Sequence, residues 1–193
     1  MKLPEIIGIA GTNGSGKDTL ADLRFDRLGV EKVSLSDILR SEATKRGLDH
    51  GRENLSAIST AWGREFGAGA LSLMTIRNYW DTRTDETTGL SIVSVRRPDE
   101  ASAIQQEGGT VIWVDAEREE RYARIRAGMR GRIDDLVSFE EFGEQEDREM
   151  YPGSDDPFVL NMAGVRDIAD VHLTNDFDSE DAYKAFLSRE FNL

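Results

Sequence analysis

The sequence has no cysteine, only two histidines and no long apolar run, and each shortage excludes a class of protein. Without cysteine, the 193-residue chain cannot form disulfides, iron–sulfur clusters, cysteine-ligated zinc sites or a thiol nucleophile. His50 and His172 are far apart, which argues against a histidine-rich metal centre. The N-terminal residues contain no signal-peptide core or membrane span, and no lipidation motif is visible. We therefore predict a cytoplasmic protein with no membrane partner.

Positive charge is also scarce. The chain has 24 Lys and Arg against 37 Asp and Glu, a formal net charge of −13. Such a surface repels phosphate backbones, so we predict no nucleic-acid partner, although one local basic pocket is still allowed. The hydrophobic content of 38% is typical of a globular chain, and the length favours one domain. Only five of the basic residues are lysine, and arginine is the residue that grips oxyanions with two hydrogen bonds.

Short apolar segments alternate with amphipathic ones along the whole chain. This pattern predicts an α/β fold, a parallel sheet of about five strands with helices on both faces and ligands at the carboxyl ends of the strands. The predicted strands are 4–10, 31–35, 90–95, 110–115 and 168–174. The predicted helices are 16–28, 36–46 with Ser36 as N-cap, 52–66, 70–80, a helix opened by Pro98, 117–128, 138–149 and 179–191, with 151–164 as a loop.

The strongest motif lies between the first strand and the first helix: Gly11-Thr12-Asn13-Gly14-Ser15-Gly16-Lys17-Asp18-Thr19. Glycines allow the backbone to curl and to point successive N–H groups at a phosphate, and a lysine adds a point charge. The alternative to a phosphate-binding loop is a glycine-rich turn that only connects the strand to the helix. We predict that ATP binds here through Gly11, Asn13, Gly14, Ser15, Gly16, Lys17, Asp18 and Thr19, with Lys17 catalytic. Asp18 stands where P-loop proteins usually place a hydroxyl, so we predict that Asp18 and Thr19 hold Mg²⁺; a favourable charge in the first helical turn is the alternative for Asp18.

The pattern Gly-x-x-Gly-x-Gly-Lys-x-Thr resembles the phosphate loop of nucleoside monophosphate kinases, the adenylate kinases above all. The segment Ser34-Leu35-Ser36-Asp37-Ile38-Leu39-Arg40 is similar to the one in those kinases where a strand end leads into the acceptor-binding helix. The resemblance implies that Ser36, Asp37 and Arg40 bind the acceptor, with Arg40 on its phosphate. Without the resemblance, Ser36 is simply an N-cap and Arg40 a solvated helix residue.

A second basic stretch, Arg96-Arg97-Pro98-Asp99-Glu100, follows the strand 90–95. It resembles a segment of phage-type deoxynucleotide monophosphate kinases and of a family of small archaeal and bacterial P-loop proteins related to dephospho-coenzyme A kinases. The likeness to this last family spans nearly the whole chain, through RENL at 52–55, GREFG at 63–67, RGRIDD at 130–135, EDREM at 146–150 and IADVHLTND at 168–176. It implies that Arg96 or Arg97 binds the acceptor phosphate.

Six arginines lie between residues 118 and 132, in a segment that resembles the helix leading into the kinase lid. The resemblance implies that some of them close over the nucleotide, and we predict catalytic roles for Arg124, Arg130 and Arg132. Ion pairs with neighbours in sequence, such as Glu117, Glu119, Glu120 and Asp134, are the alternative and account for Arg118 and Arg121.

One position departs from the kinase pattern. Related kinases carry an acidic residue in the strand before the Arg-x-Pro stretch, which holds Mg²⁺ through water, whereas this chain has Val93. Either another carboxylate serves the metal or catalysis is impaired. Elsewhere, the spacing of Trp62 and Phe66 predicts core positions on one helix face, and Trp113 lies in a predicted buried strand.

These observations predict a three-layer P-loop kinase fold in a single domain, residues 1–193, with an acceptor-side helical arm around 36–80 and a lid near 128–150. The predicted activity is ATP-dependent, Mg²⁺-assisted phosphoryl transfer to a small phosphorylated acceptor, first a nucleoside or deoxynucleoside monophosphate. Dephospho-coenzyme A is the alternative acceptor, with Asp37 as the base for its hydroxyl. A nucleotide-binding module without kinase activity, such as a sensor or a partner-regulated ATPase, is the alternative of another class.

Overall fold

A computed structural model describes residues 1–128, 137–154 and 156–193. Five parallel strands form one sheet in the order β2-β3-β1-β4-β5. This confirms the predicted α/β fold. The strands are β1 Ile6–Gly11, β2 Glu31–Ser34, β3 Leu90–Val95, β4 Thr110–Asp115 and β5 Val171–Thr174. The helices are α1 Lys17–Leu28, α2 Leu35–Lys45, α3 Arg52–Phe66, α4 Ala70–Thr82, α5 Pro98–Gln106, α6 Arg118–Gly128, α7 Phe139–Met150, α8 Met162–Ile168 and α9 Glu180–Phe191.

Apolar side chains cover both faces of the sheet because neighbouring residues of a strand point to opposite sides. On one face, Ile6 and Ile92 pack in a cluster with side chains of α2, α3, α4, α5 and α8. On the other face, Ile7, Ile9 and Val93 pack against α1 and α9. The sheet is therefore buried between two helical layers. Because the strands are parallel and β3, β1 and β4 are neighbours, their carboxyl ends lie side by side at one edge of the sheet.

Three helices, α2, α3 and α4, connect β2 to β3 in the region where the sequence predicts an acceptor-side arm. The predicted cap of the first of them was wrong by two residues. Ser34, not Ser36, is the N-cap of α2, and its side chain accepts a hydrogen bond from the backbone N–H of Asp37. Ser36 instead lies inside the first turn and is buried. Both serines suit a cap by residue type, and the end of the preceding strand decides between them.

The segment before β5 also differs from the prediction. Helix α8 occupies part of the predicted loop 151–164, and β5 begins at Val171 rather than at residue 168. The Asn161 side chain accepts a hydrogen bond from the N–H of Gly164 and so begins this helix. Ala163 and Val165 are buried against the core, which stabilises a helix too short to show a clear period in the sequence.

The predictions for the aromatic residues had different outcomes. Trp113 is 2% exposed, as predicted for a central strand. Trp62 is half-buried against the core, whereas Phe66, predicted to be core, is 56% exposed at the end of α3. Of the helices that the structure describes, none is long and apolar enough to cross a bilayer.

Candidate functional site

The predicted phosphate loop runs from the end of β1 to the start of α1. Gly11 has φ of 144°, and a Cβ there would lie 2.0 Å from the carbonyl oxygen of Val114. Gly14 and Gly16 have φ of 82° and 83°, in the left-handed region that glycine occupies without strain. A Cβ on Gly14 would lie 2.6 Å from the Arg121 carbonyl oxygen. Close packing and backbone conformation together therefore require the three glycines.

Two side chains hold carbonyl groups of this loop from behind. Arg121 Nη1 donates to the carbonyl oxygen of Asn13 at 3.2 Å, and Asn175 Nδ2 donates to that of Ser15 at 2.9 Å. In a trans peptide, the following N–H points opposite to the carbonyl. The N–H groups of Gly14 and Gly16 therefore face away from these anchors, toward the open side of the loop. This arrangement makes a concave anion site, and α1 adds the positive end of its dipole.

Asp115, at the end of β4, braces the start of the loop. Its Oδ1 accepts hydrogen bonds from Thr12 Oγ1 at 2.7 Å and from the Ala116 N–H at 2.9 Å. Lys17 Nζ lies 3.4 Å from the Thr12 carbonyl oxygen, so the lysine folds back along the loop. The sequence analysis did not select Asp115. The sequence feature that could have identified Asp115 is a carboxylate at the last position of a buried strand, at the edge of the sheet where ligands bind.

The pairing predicted for Arg118 and Arg121 was wrong. Both arginines pair with acids of α7 rather than with acids close to them in sequence on α6, and Arg121 Nε also lies 3.7 Å from Asp115 Oδ1. Arg121 is buried, and its Nη2 donates to Glu146 Oε1 at 2.9 Å. Arg118 donates to the same oxygen at 3.1 Å and to Asp147 at 2.5 Å. Sequence separations of 25 to 29 residues explain why a local charge pattern could not reveal these pairs.

Arg124 lies beside the phosphate loop. Its Nη2 donates to the Asn175 carbonyl oxygen at 3.1 Å and to Glu120 at 3.2 Å. Together with the loop it borders a cleft of about 500 Å³. The cleft is lined by Gly14, Gly16, Lys17, Asp18, Thr19, Arg124, Ile125, Gly128, Asn175, Phe177, Asp178, Ser179, Glu180 and Tyr183. Arg130 and Arg132, the other predicted catalytic arginines, and Asp134 lie outside the described residues.

The residues of the cleft fit a nucleotide. Arg124 Nη1 and the Tyr183 hydroxyl are buried and have no hydrogen-bond partner among the described residues. Burial raises the pKa of Tyr183, so its hydroxyl stays protonated. The rings of Phe177 and Tyr183 stand 5.7 Å apart at one end of the cleft, next to polar Asp178. An apolar wall with polar groups at its rim suits a nucleobase, and the glycine loop suits the phosphates. The sequence analysis missed Phe177, Asp178 and Tyr183. Phe177 and Asp178 lie in the short segment between β5 and α9, at the edge where ligands bind, whereas Tyr183 lies inside α9.

The predicted metal residues occupy the first turn of α1. The Asp18 carboxylate is 48% exposed and lies 3.6 Å from Lys32 Nζ, while the Thr19 N–H donates to the Gly16 carbonyl oxygen. In the described ranges, no three acidic or histidine side chains gather as a metal cage. The carboxylates of Asp18, Asp178 and Glu180 line the cleft, and protein-bound Mg²⁺ commonly takes one or two carboxylates beside phosphates and water.

Val93 cannot substitute for the missing strand acid. Its side chain is 1% exposed and lies in the apolar cluster that includes Leu20 and Leu23, on the sheet face covered by α1 and α9. Beyond it, Ser94 has φ of 65° and interrupts the register of β3 against β1. A carboxylate at position 93 would be buried among aliphatic side chains, where it would cost stability.

The predicted acceptor-binding residues fall into two groups. On α2, Arg40 forms an ion pair with Asp37 and both are accessible, while Ser36 is buried. At the end of β3, Arg96 Nη1 lies 3.1 Å from Glu149 Oε1. Arg97, by contrast, is buried, bonded to both oxygens of Asp99 and to the Ser59 carbonyl oxygen. Arg97 therefore ties α3 to the start of α5, which corrects its predicted role and leaves Arg96 as the candidate.

No family model matches the chain. Solved structures share its fold. The structure of TT1252 from Thermus thermophilus is similar at a TM-score of 0.56 and 20% identity, covering 100% of this chain and 99% of that one. Shikimate kinase from Bacteroides thetaiotaomicron is similar at a TM-score of 0.56 and 13% identity, covering 97% and 98% of the two chains. Shikimate kinase from Acinetobacter baumannii, solved with shikimate, has a TM-score of 0.51 and 15% identity, covering 97% and 93%. These likenesses show that the chain has the fold of the shikimate kinases.

Sequence relatives include UPF0200 proteins of Thermococcus and Pyrococcus species. The UPF0200 protein of Thermococcus gammatolerans is 30% identical over 183 residues, 93% of this chain and 90% of its own length. The UPF0200 protein of Pyrococcus abyssi is 31% identical over 183 residues, 93% of this chain and 91% of its own length. Identity of this extent over nearly complete chains shows common descent, and the chain belongs to the UPF0200 family.

Proposed function

We propose that the protein is a P-loop kinase that transfers the γ-phosphoryl group of ATP to a nucleoside or deoxynucleoside monophosphate, with Mg²⁺. The observation that carries this proposal is the loop at Gly11–Lys17, whose anchored carbonyls turn its N–H groups toward a cleft bordered by Arg124. A loop built this way is suited to polyphosphate, and the P-loop kinase fold supports phosphoryl transfer as the chemistry.

In this proposal, each part of the cleft has a distinct task. The N–H groups of Gly14 and Gly16 and the Lys17 ammonium bind the β- and γ-phosphates, and half-buried Phe177, which lines the cleft, contacts the base. Arg124, whose Nη1 has no partner in the described structure, turns a donor toward the phosphates. Positioning and charge stabilisation suffice, because the metaphosphate-like transition state asks for little covalent chemistry. Bound Mg²⁺ would neutralise charge on the transferring phosphoryl group, with Asp18 and Thr19 holding it through water.

Asp18→Asn is expected to raise the Mg²⁺ concentration that gives half-maximal activity. The reason is that Asp18 lines the cleft and is the carboxylate nearest to the loop lysine in sequence. Asp22→Asn is the matched control, because Asp22 lies on the same helix and also pairs with Lys32, at 2.6 Å, but does not line the cleft. If the Mg²⁺ titration is the same in the wild type and both variants, Asp18 is only a favourable charge in a first helical turn.

Arg40→Ala is expected to raise the KM for the acceptor about tenfold or more while leaving the KM for ATP nearly unchanged. Arg40 lies on α2, after the end of β2, whereas the ATP cleft lies between α1, α6 and α9. Arg46→Ala is a suitable control, since Arg46 is also a paired arginine of the same region. If Arg40→Ala changed only the KM for ATP, the assignment of Arg40 to the acceptor site would be wrong.

Two other functions remain to be compared by experiment. Dephospho-coenzyme A has a hydroxyl acceptor, and accessible Asp37 could serve as its base. A nucleotide-binding module without a transfer step is favoured by the apolar residue Val93 at the position of the strand acid. A coupled ADP-release screen over the monophosphates, dephospho-coenzyme A and shikimate separates these functions: a kinase responds to one acceptor class, and a module responds to none.

A further inference from the structure

Three carboxylates line the cleft beside the phosphate loop, and they differ in how they are paired. Asp18 lies 3.6 Å from Lys32 Nζ. Glu180 pairs with Lys184 at 2.6 Å. Asp178 is exposed and, within the part of the chain that the structure describes, makes no hydrogen bond or ion pair. Its two oxygens can therefore accept hydrogen bonds from a ligand in the cleft.

The segment between β5 and α9 that carries Asp178 is held at both ends. Before Asp178, Asn175 Nδ2 donates to the Ser15 carbonyl oxygen at 2.9 Å. Arg124 Nη2 donates to the Asn175 carbonyl oxygen at 3.1 Å. After Asp178, the Ser179 side chain accepts a hydrogen bond from the backbone of α9 and caps that helix. These contacts fix the backbone around the carboxylate, which is what a preorganised recognition site requires.

The surroundings of Asp178 restrict the part of a ligand that can face it. The segment 175–179 and the glycine loop are separate walls of one cleft. The N–H groups of the loop attract phosphate, as does Arg124 Nη1, a buried donor without a partner among the described residues. A carboxylate repels phosphate, whereas half-buried Phe177, the preceding residue, offers an apolar surface in the same cleft. The base of a nucleotide, rather than its phosphates, therefore suits the place beside Asp178.

The hydrogen-bonding edge of the base decides which nucleotide a carboxylate favours. Guanine presents two adjacent donors, N1–H and the 2-amino group, which match the two oxygens of one carboxylate. Adenine presents one donor, its 6-amino group, beside the lone pair of N1, which a carboxylate repels. Uracil and thymine present a single N–H between two carbonyl oxygens. Guanine is therefore the base that fits best.

We propose that Asp178 recognises the base of the donor nucleotide and selects guanine, so that GTP binds more tightly than ATP. ATP remains a donor, because its 6-amino group keeps one hydrogen bond and its phosphates are bound in the same way. This inference rests on the proposed function, since it names the preferred base at the same cleft. It gives a task to a residue that the sequence analysis did not select.

Isothermal titration calorimetry of the full chain without an acceptor tests this selection. The ligands are the β,γ-imido analogues of GTP, ITP and ATP, which do not transfer a phosphoryl group. The dissociation constant of the GTP analogue should be about tenfold lower than that of the ATP analogue, the scale of one hydrogen bond to a charged group. The ITP analogue, whose base keeps N1–H but lacks the 2-amino group, should fall between them.

Asp178→Asn should remove the preference, because the amide replaces one acceptor by a donor. The GTP analogue should bind more weakly than to the wild type, whereas the ATP analogue should bind at least as tightly, since the amide can pair with both N1 and the 6-amino group of adenine. Asp176→Asn is the matched control, because Asp176 is exposed on the same segment but is not among the residues that line the cleft. It should keep the wild-type order, and a thermal melt checks that both variants fold.

Equal dissociation constants for the GTP and ATP analogues in the wild type would overturn the inference. A change by the same factor for all three analogues in Asp178→Asn would also overturn it, because the carboxylate would then act on the ribose or through its charge alone. The proposed function fails separately. The expected order of binding without phosphorylation of any acceptor refutes the kinase, whereas acceptor turnover with equal binding of the analogues refutes the role of Asp178.

Discussion

Lys17→Ala is expected to lower ATP turnover by about a hundredfold or more, the scale of losing one electrostatic partner of the transferring phosphoryl group. Lys17 begins α1 and its Nζ lies 3.4 Å from the Thr12 carbonyl oxygen, alongside the loop whose N–H groups face the cleft. The side chain is only partly buried, so its removal should leave the melting temperature close to that of the wild type. Steady-state ADP release and a thermal melt measure the two quantities.

Lys45→Ala provides the control for Lys17→Ala. Lys45 lies at the end of α2 and is 73% exposed, and its ion pair with Glu42 is a long one, at 4.0 Å. We expect wild-type turnover in this variant. Equal turnover in Lys17→Ala and the wild type would refute the assignment of the loop at Gly11–Lys17 as a phosphate-binding loop.

Arg121→Met is expected to reduce the free energy of unfolding by about 3–5 kcal/mol, the usual cost of removing one partner of a buried ion pair. The substitution leaves Glu146 nearly buried with its closest partner gone, and it releases the Asn13 carbonyl oxygen that Arg121 holds. For a chain of this length, we expect the melting temperature to fall by about 10 °C. ATP binding should weaken as well, because the phosphate loop loses one of its two carbonyl anchors.

Arg118→Met is the matched control for Arg121→Met. Arg118 lies on the same helix and donates to the same Glu146, but its side chain is 37% exposed and, among the described residues, its ion pairs are with Glu146 and Asp147 rather than with the loop. Its loss should cost about 1 kcal/mol or less and leave ATP affinity unchanged. The double variant Arg121→Met/Glu146→Gln should recover part of the lost stability, because the nearly buried side chain that loses its closest partner is then neutral. Equal destabilisation by the two single variants would contradict a special role for the buried pair.

The parts of the fold that the sequence predicted are those fixed by local pattern. Five apolar segments predicted five strands, and the strand–glycine loop–helix order located the bend at Gly11–Lys17. Helix α8 was missed because seven residues hold barely two turns, and packing of Val165 rather than periodicity stabilises it. The error at Ser34 and Ser36 has a similar cause, since either residue could cap a helix and tertiary placement selects one.

In the candidate site too, residues within local motifs were predicted, whereas residues that act through tertiary contacts were not. Lys17 and Arg124 were selected from their motifs, and the structure places both at one cleft. Arg121, Asn175 and Asp115 were not selected, because their task is to hold the loop and their partners are 25 to 160 residues away in sequence. The burial of Val93 against α1 could not be predicted from the sequence either. The helix that covers a given face of a central strand is determined by the arrangement of the whole sheet.

The measurement that tests the central claim most directly is ³¹P NMR of the wild-type protein with ATP and Mg²⁺, recorded with and without each nucleoside or deoxynucleoside monophosphate. We expect one monophosphate class to be converted to its diphosphate in step with loss of the ATP γ-phosphate, with little inorganic phosphate formed. Release of inorganic phosphate at the same rate with and without every acceptor, and no new diphosphate, would contradict the account.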